Sequence, residues 1–303
     1  MKHIMITGAS GFVGTYLSKM LVERGYRITG LGTSLGHDFE NVYENFSWIS
    51  EDTSQSGAWQ DIAAGSDIII NLAGRTIFKP WTKTYKKAMY DSRVLTTRHL
   101  VAGLGENWHG HLLSASAVGY YGDRGNTVLA ETEPCGNDFL AQVCKDWESA
   151  ALDAKAKGAV VSMMRFGVVL GPDGGALDVM GKAFKWFVGG PLGNGRQWFP
   201  WIHIEDLAAA VEFLIDNKAD GAFNFCGPEP VRQKAFAQAL GQSLKRPAIM
   251  PAPAFMVRMV MGELGASLLQ GQKSLPKGLE NKGFTFKYNT VDQALNAVYR
   301  PEI

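Results

Sequence analysis

The first fourteen residues, Met-Lys-His-Ile-Met-Ile-Thr-Gly-Ala-Ser-Gly-Phe-Val-Gly, constrain the fold more than any other stretch. The apolar run Ile4-Met5-Ile6 reads as a buried parallel strand, it breaks at Gly8, and an amphipathic helical pattern begins near Phe12. Glycines at 8, 11 and 14 mark the turn between strand and helix. Gly8 lets the chain leave the strand sharply, Gly11 lets backbone approach a pyrophosphate, and Gly14 lets the helix pack closely on the strand. The free N–H groups of the first helical turn then face the anion, aided by the helix dipole.

With Thr7 ahead of it, this G-x-x-G-x-x-G spacing resembles the T-G-x-x-G-x-x-G of the short-chain dehydrogenase/reductase superfamily. The resemblance implies a Rossmann sheet holding NAD or NADP, with Gly8, Ser10, Gly11, Phe12, Val13 and Gly14 at the cofactor. The first helix is expected from Phe12 to Arg24, capped by Gly25, and the second strand from Tyr26 to Leu31. An acid closing that strand would hydrogen-bond the ribose of NAD and repel the 2′-phosphate of NADP. The chain instead reads Gly30-Leu31-Gly32-Thr33-Ser34, which favours NADP, with NAD as the alternative. No arginine follows, so Thr33 and Ser34 are left to bind the phosphate through hydroxyl and backbone donors.

Further strand–helix units follow. A strand is expected around Phe46 to Ile49, a helix near Ala58 to Ala63, and a buried strand in Ser66 to Leu72 that ends in Ala73-Gly74. Ligands sit outside the carboxyl ends of such strands, which puts Leu72, Ala73 and Gly74 under the cofactor. A helix from Thr82 to Leu104 carries Arg93, equally readable as a solvated charge or a cofactor contact. The strand His111 to Ser116 brings Ser114, Ala115 and Ser116 to the same end of the sheet. A helix from Asp138 to Lys157 and a strand from Val160 to Val169, interrupted by Arg165, complete the regular alternation. We expect a Rossmann domain over residues 1–167, to which 201–225 return, and a smaller, mainly helical domain from 168–200 and 226–303.

Composition excludes several functions. A formal net charge of +1 without a basic run gives no case for nucleic acid or anionic membrane. Three cysteines, Cys135, Cys144 and Cys226, lie far apart, and six histidines show no metal-ligand spacing. The expectation is a soluble, cytoplasmic protein without metal. His203 reads as a supporting or core histidine, and Cys144 as packing on an apolar helix face.

Several stretches resemble one epimerase-like branch of the extended short-chain dehydrogenases/reductases, a group with a distinctive C-terminal domain. They are Asp91-Ser92-Arg93-Val94, residues 114–125 (Ser-Ala-Ser-Ala-Val-Gly-Tyr-Tyr-Gly-Asp-Arg-Gly), 138–144, 171–177, Gly195-Arg196-Gln197-Trp198, Trp201-Ile202-His203-Ile204 and Gly271-Gln272. Catalytic members of the superfamily use a Ser or Thr followed by Tyr-x-x-x-Lys on the next helix. Ser116 matches the serine, but Leu140 and Cys144, or Ala141 and Lys145, stand at the Tyr-Lys positions. Tyr120 is the nearby phenol that could replace the missing acid, and Arg196 with Gln197 would face the substrate. Two functions compete: an NADP(H)-dependent oxidoreductase or epimerase acting on an unknown small molecule, and a nucleotide-binding regulator without turnover. Relatives labelled as cell-division inhibitors keep a protein partner open under the second reading.

Overall fold

The computed structural model describes residues 1–300. Seven parallel strands form the central sheet, in the spatial order Gly221–Phe225, Val160–Phe166, His111–Ala117, Ile68–Asn71, His3–Thr7, Arg27–Gly32 and Phe46–Ser50. Successive side chains of a strand point to opposite faces, and both faces here are apolar. Ile4, Ile6, Ile68 and Ile70 join one core with helices Phe12–Glu23 and Ile204–Asp216. Met5 and Ile69 join the other, which takes in Trp59 and Ala63 from helix Trp59–Ala64 and Leu100 and Val101 from helix Lys83–Gly103. The result is a doubly wound Rossmann sheet. Strand order reverses between His3–Thr7 and Ile68–Asn71, and a crevice opens there at the carboxyl ends.

Local signals set the element ends. Gly25, at φ +84°, follows the first helix; Thr82 and Asp138 cap theirs by accepting from Tyr85 N and Ala141 N. The expected helix to Lys157 changes at Asp153 into a 3₁₀ turn, which ends at left-handed Gly158. The strand expected through Val169 is not interrupted at Arg165. Arg165 lies in register with Ser116 and Asn224, its charge met by Glu148, and the strand ends at Phe166. At Gly167 the chain crosses close to Pro200, and Val168–Leu170 pairs with Trp201–His203 in a separate two-stranded sheet.

Past the central sheet the chain is mainly helical, with Gln233–Leu244, Ala254–Leu268, Lys277–Asn281 and Val291–Tyr299. Phe236, Leu240, Val291 and Leu295 share a core with Leu170, Leu177 and Trp201. Leu279 and Phe286 instead pack into the first core of the central sheet. No helix among the described residues is long and apolar enough to cross a membrane.

Candidate functional site

Gly8 and Gly14 of the first turn are required by what surrounds them. Gly8 adopts φ +68°, and a Cβ there would lie 3.0 Å from the backbone of Leu72 and Ala73. A Cβ at Gly14 would overlap the Gly8 carbonyl and come within 2.7 Å of Ala9 Cα, so helix and strand meet only without it. Gly11 caps the helix with no side-chain hydrogen bond, and no acid lies in the first turn. The leading N–H groups are therefore left for an anion.

Beneath the turn a polar network joins three strand ends. Thr7 Oγ1 donates to Asn71 Oδ1 at 2.7 Å and accepts from the N–H groups of Leu72 and Ala73. Asn71 Nδ2 donates to Thr97 at 2.8 Å and Ser114 at 3.3 Å, and Thr97 donates to the Arg93 carbonyl. Every hydroxyl in it has a partner, as buried polar groups require. Ser114 is buried in this network and lines neither cavity described next.

Two cavities meet along the crevice, sharing Gly8, Gly11, Leu72 and Gly74. The smaller, about 490 Å³, is walled by Ser10, Gly32, Thr33, Asp52 and Ala73; Ser34 stays outside it and gives its carbonyl to Trp48 Nε1. The larger, about 550 Å³, takes in Phe12, Val13, Gly14, Arg93, Ala115, Ser116 and Gln197. Arg93 lies against Gly74 and 5.4 Å from the Trp147 ring, donates to the carbonyls of Met89 and Arg75, and makes no ion pair among the described residues. Burial lowers its pKa, and an anion in the crevice would offset that cost. Arg196 is exposed and lines neither cavity, whereas Gln197 lines the larger one.

Ser116 has a partner that sequence reasoning missed. Its hydroxyl donates to Glu148 Oε1 at 2.7 Å, and Arg165 donates to both Glu148 oxygens at 2.8 Å. All three side chains are buried. A lone carboxylate on an apolar helix face and a lone guanidinium inside a buried strand were the available signals, since each needs the other. Tyr120 lines neither cavity: its ring lies 3.7 Å from the Arg165 guanidinium, and burial raises its phenol above the ordinary value. Its neighbour Tyr121 donates to Asn224 at 2.7 Å and accepts from Arg165. His203 is buried, its Nδ1 accepting from Glu205 N as a helix cap. No cluster of His, Cys, Asp or Glu fit to hold a metal occurs among the described residues.

The profile of the NAD dependent epimerase/dehydratase family matches residues 4–226. The chain belongs to that family. A second match, to a domain of unknown function (DUF1731), covers residues 252–298. This family member is 38% identical over 300 residues to the chloroplastic epimerase family protein SDR39U1 homolog of Arabidopsis thaliana, with 97% of this chain and 86% of that one covered. It is also similar to human epimerase family protein SDR39U1 (isoform 2), whose crystal structure holds NADPH. There the TM-score is 0.84 at 28% identity, over 98% and 99% of the two chains. A nucleoside-diphosphate sugar epimerase from Corynebacterium glutamicum matches with TM-score 0.77 and 30% identity; 98% of this chain covers 58% of it. In this epimerase-family chain, helix Phe139–Leu152 turns Leu140, Val143, Cys144 and Trp147 into the larger cavity. Burial pushes the Cys144 thiol up to about 12, so it is protonated and poorly nucleophilic at neutral pH.

Proposed function

We propose that the protein is an NADP(H)-binding, epimerase-like oxidoreductase acting on a small molecule. The observation that carries this reading is the continuous crevice over the Gly8–Gly14 turn, which opens at one end on Thr33 and at the other on Ser116. The uncapped helix, the unpaired Arg93 and the absence of an acid after the second strand fit a dinucleotide with a 2′-phosphate. NADPH on the human relative supports the same choice. Glycines 8, 11 and 14 would hold the diphosphate, Gly32 and Thr33 the adenosine side, and Ala115 and Ser116 the nicotinamide side. When bound, the nicotinamide supplies or accepts hydride. We assign residues 168–200 and 226–303 as the substrate-side unit, and the cytoplasm, where three free cysteines stay reduced, as its compartment.

Ser116 directs its proton at Glu148, so its oxygen is free to accept from a substrate hydroxyl. Glu148 positions that proton, and Arg165 holds Glu148. With Leu140 and Cys144, or Ala141 and Lys145, read at the places of the superfamily's Tyr-Lys pair, the helix offers no tyrosine as acid. A positioned acid/base contributes about 10²–10⁴-fold to rate, so ordinary superfamily substrates should turn over slowly. The same apolar helix face favours the second reading, a nucleotide-binding regulator. The test follows NADPH binding by calorimetry, and turnover by the absorbance of NADPH formed from NADP+ with an alcohol panel, in the unmodified protein and in Ser116→Ala. We expect NADPH binding in both and turnover lost by about 10²-fold in the variant. Binding without turnover across the panel selects the regulator, and failure to bind NADPH overturns both.

A further inference from the structure

The substrate end of the larger cavity is defined by the chemistry of its wall. Among the described residues that line it, Arg93 is the one charged side chain, and it sits toward the dinucleotide turn, against Gly74. The wall beyond Ser116 is built by Phe139, Leu140, Met180, Leu192, Trp198 and Phe199. Three nearby cations lie outside the wall. Lys86 pairs with Glu263 at 2.6 Å, and Arg232 and Lys273 lie against the Trp198 ring without lining the cavity.

Polar groups on this wall include several glutamine amides. Gln197 Nε2 donates to the Leu192 carbonyl at 3.1 Å, Leu192 N donates to Gln233 Oε1 at 2.9 Å, and Gln272 Nε2 donates to the Gly122 carbonyl at 3.1 Å. These bonds orient the amides and leave each of Gln197 and Gln272 one Nε2–H to donate to a carbonyl and an oxygen to accept from a hydroxyl. A nucleoside-diphosphate sugar brings two phosphate charges, which an apolar wall without cations would strip of water and leave unpaired. That desolvation is costly. An uncharged molecule with an apolar body and a hydroxyl or carbonyl meets no such penalty.

We propose that this end of the site takes an uncharged, largely apolar carbonyl compound or its alcohol, oriented by Gln197 and Gln272, and rejects nucleoside-diphosphate sugars. The proposal rests on the reading above in leaving the rest of the crevice to the dinucleotide. Its test is calorimetry on the NADPH-loaded protein with 2-acetylnaphthalene and with UDP-glucose. The ketone is expected to bind at least about tenfold more tightly, and Leu268→Arg, at the edge of the wall, should raise UDP-glucose affinity by about tenfold. UDP-glucose binding as tightly as the ketone, or no binding of the ketone, overturns the proposal. Failure of the dinucleotide reading shows separately, as absence of NADPH binding in the loading titration. The ketone and UDP-glucose are then compared on the protein alone, where tighter ketone binding again supports the proposal and its absence overturns it.

Discussion

Thr33 stands where a dinucleotide-binding fold chooses between its two cofactors, and it lines the smaller cavity. A carboxylate there would face the 2′-phosphate. NADPH should therefore bind the unmodified protein about tenfold more tightly than NADH, and Thr33→Asp should reverse that order. Calorimetry with both nucleotides checks it. A second residue-scale expectation concerns Glu148, whose two oxygens hold Arg165 at 2.8 Å in a buried setting. Glu148→Gln leaves the guanidinium without its countercharge and should cost about 3–5 kcal/mol, read by urea unfolding. Ser116→Ala removes one hydrogen bond and should cost about 1 kcal/mol. Equal losses for the two variants would mean that the ion pair carries no special weight. Neither Glu148 nor Arg165 was identifiable as a pair from the chain alone. They are 17 residues apart on different elements, and only the packing of helix on sheet brings them together.

Elements were more legible than residues, because their signals are local. Apolar strand cores, glycine stops and the caps at Thr82 and Asp138 all act within a few residues. Departures came where a distant neighbour intervened. The strand after Val160 ends at Phe166 because Pro200 crosses against Gly167, which no local pattern records. Helix Ala254–Leu268 offers the sharpest test at this scale, since it is broken at Gly262, with φ +57° and ψ −133°. Read as a continuous helix, Gly262→Ala would gain about 1 kcal/mol from helix propensity. In the broken geometry the alanine is strained although nothing crowds its Cβ, and it should cost about 1–3 kcal/mol. The sign of the shift in thermal midpoint decides between them.

At the scale of the whole molecule, folding buries His111 and His203, and burial pushes both pKa values down to about 4. Ser162 donates to the Ala219 carbonyl, so His111 Nε2 donates to Ser162 and its Nδ1 is left without a partner for an added proton. His203 Nδ1 is occupied as an acceptor from Glu205 N. The unfolded chain, with histidines near about 6.5, binds more protons at mildly acid pH than the folded one. Stability is therefore full above about pH 6.5 and falls as pH drops toward about 4, by about 2 kcal/mol per histidine at pH 5. Urea unfolding at pH 7 and pH 5 measures this, and equal midpoints would refute it. The sequence by itself determined the Rossmann sheet, the glycine turn at residues 8–14 and the absence of an acid after the second strand. The strands and the turn follow from side-chain periodicity and backbone sterics over short spans, the Rossmann order from the resemblance their motif carries, and the missing acid from residue identity alone. Tertiary structure decided which polar groups reach the crevice. It set Ser116 on Glu148, turned Tyr120 toward Arg165, left Arg196 exposed and lined one end of the larger cavity with apolar rings and glutamine amides. Those outcomes depend on how helices and loops distant in sequence pack across the sheet, and no local pattern encodes that geometry.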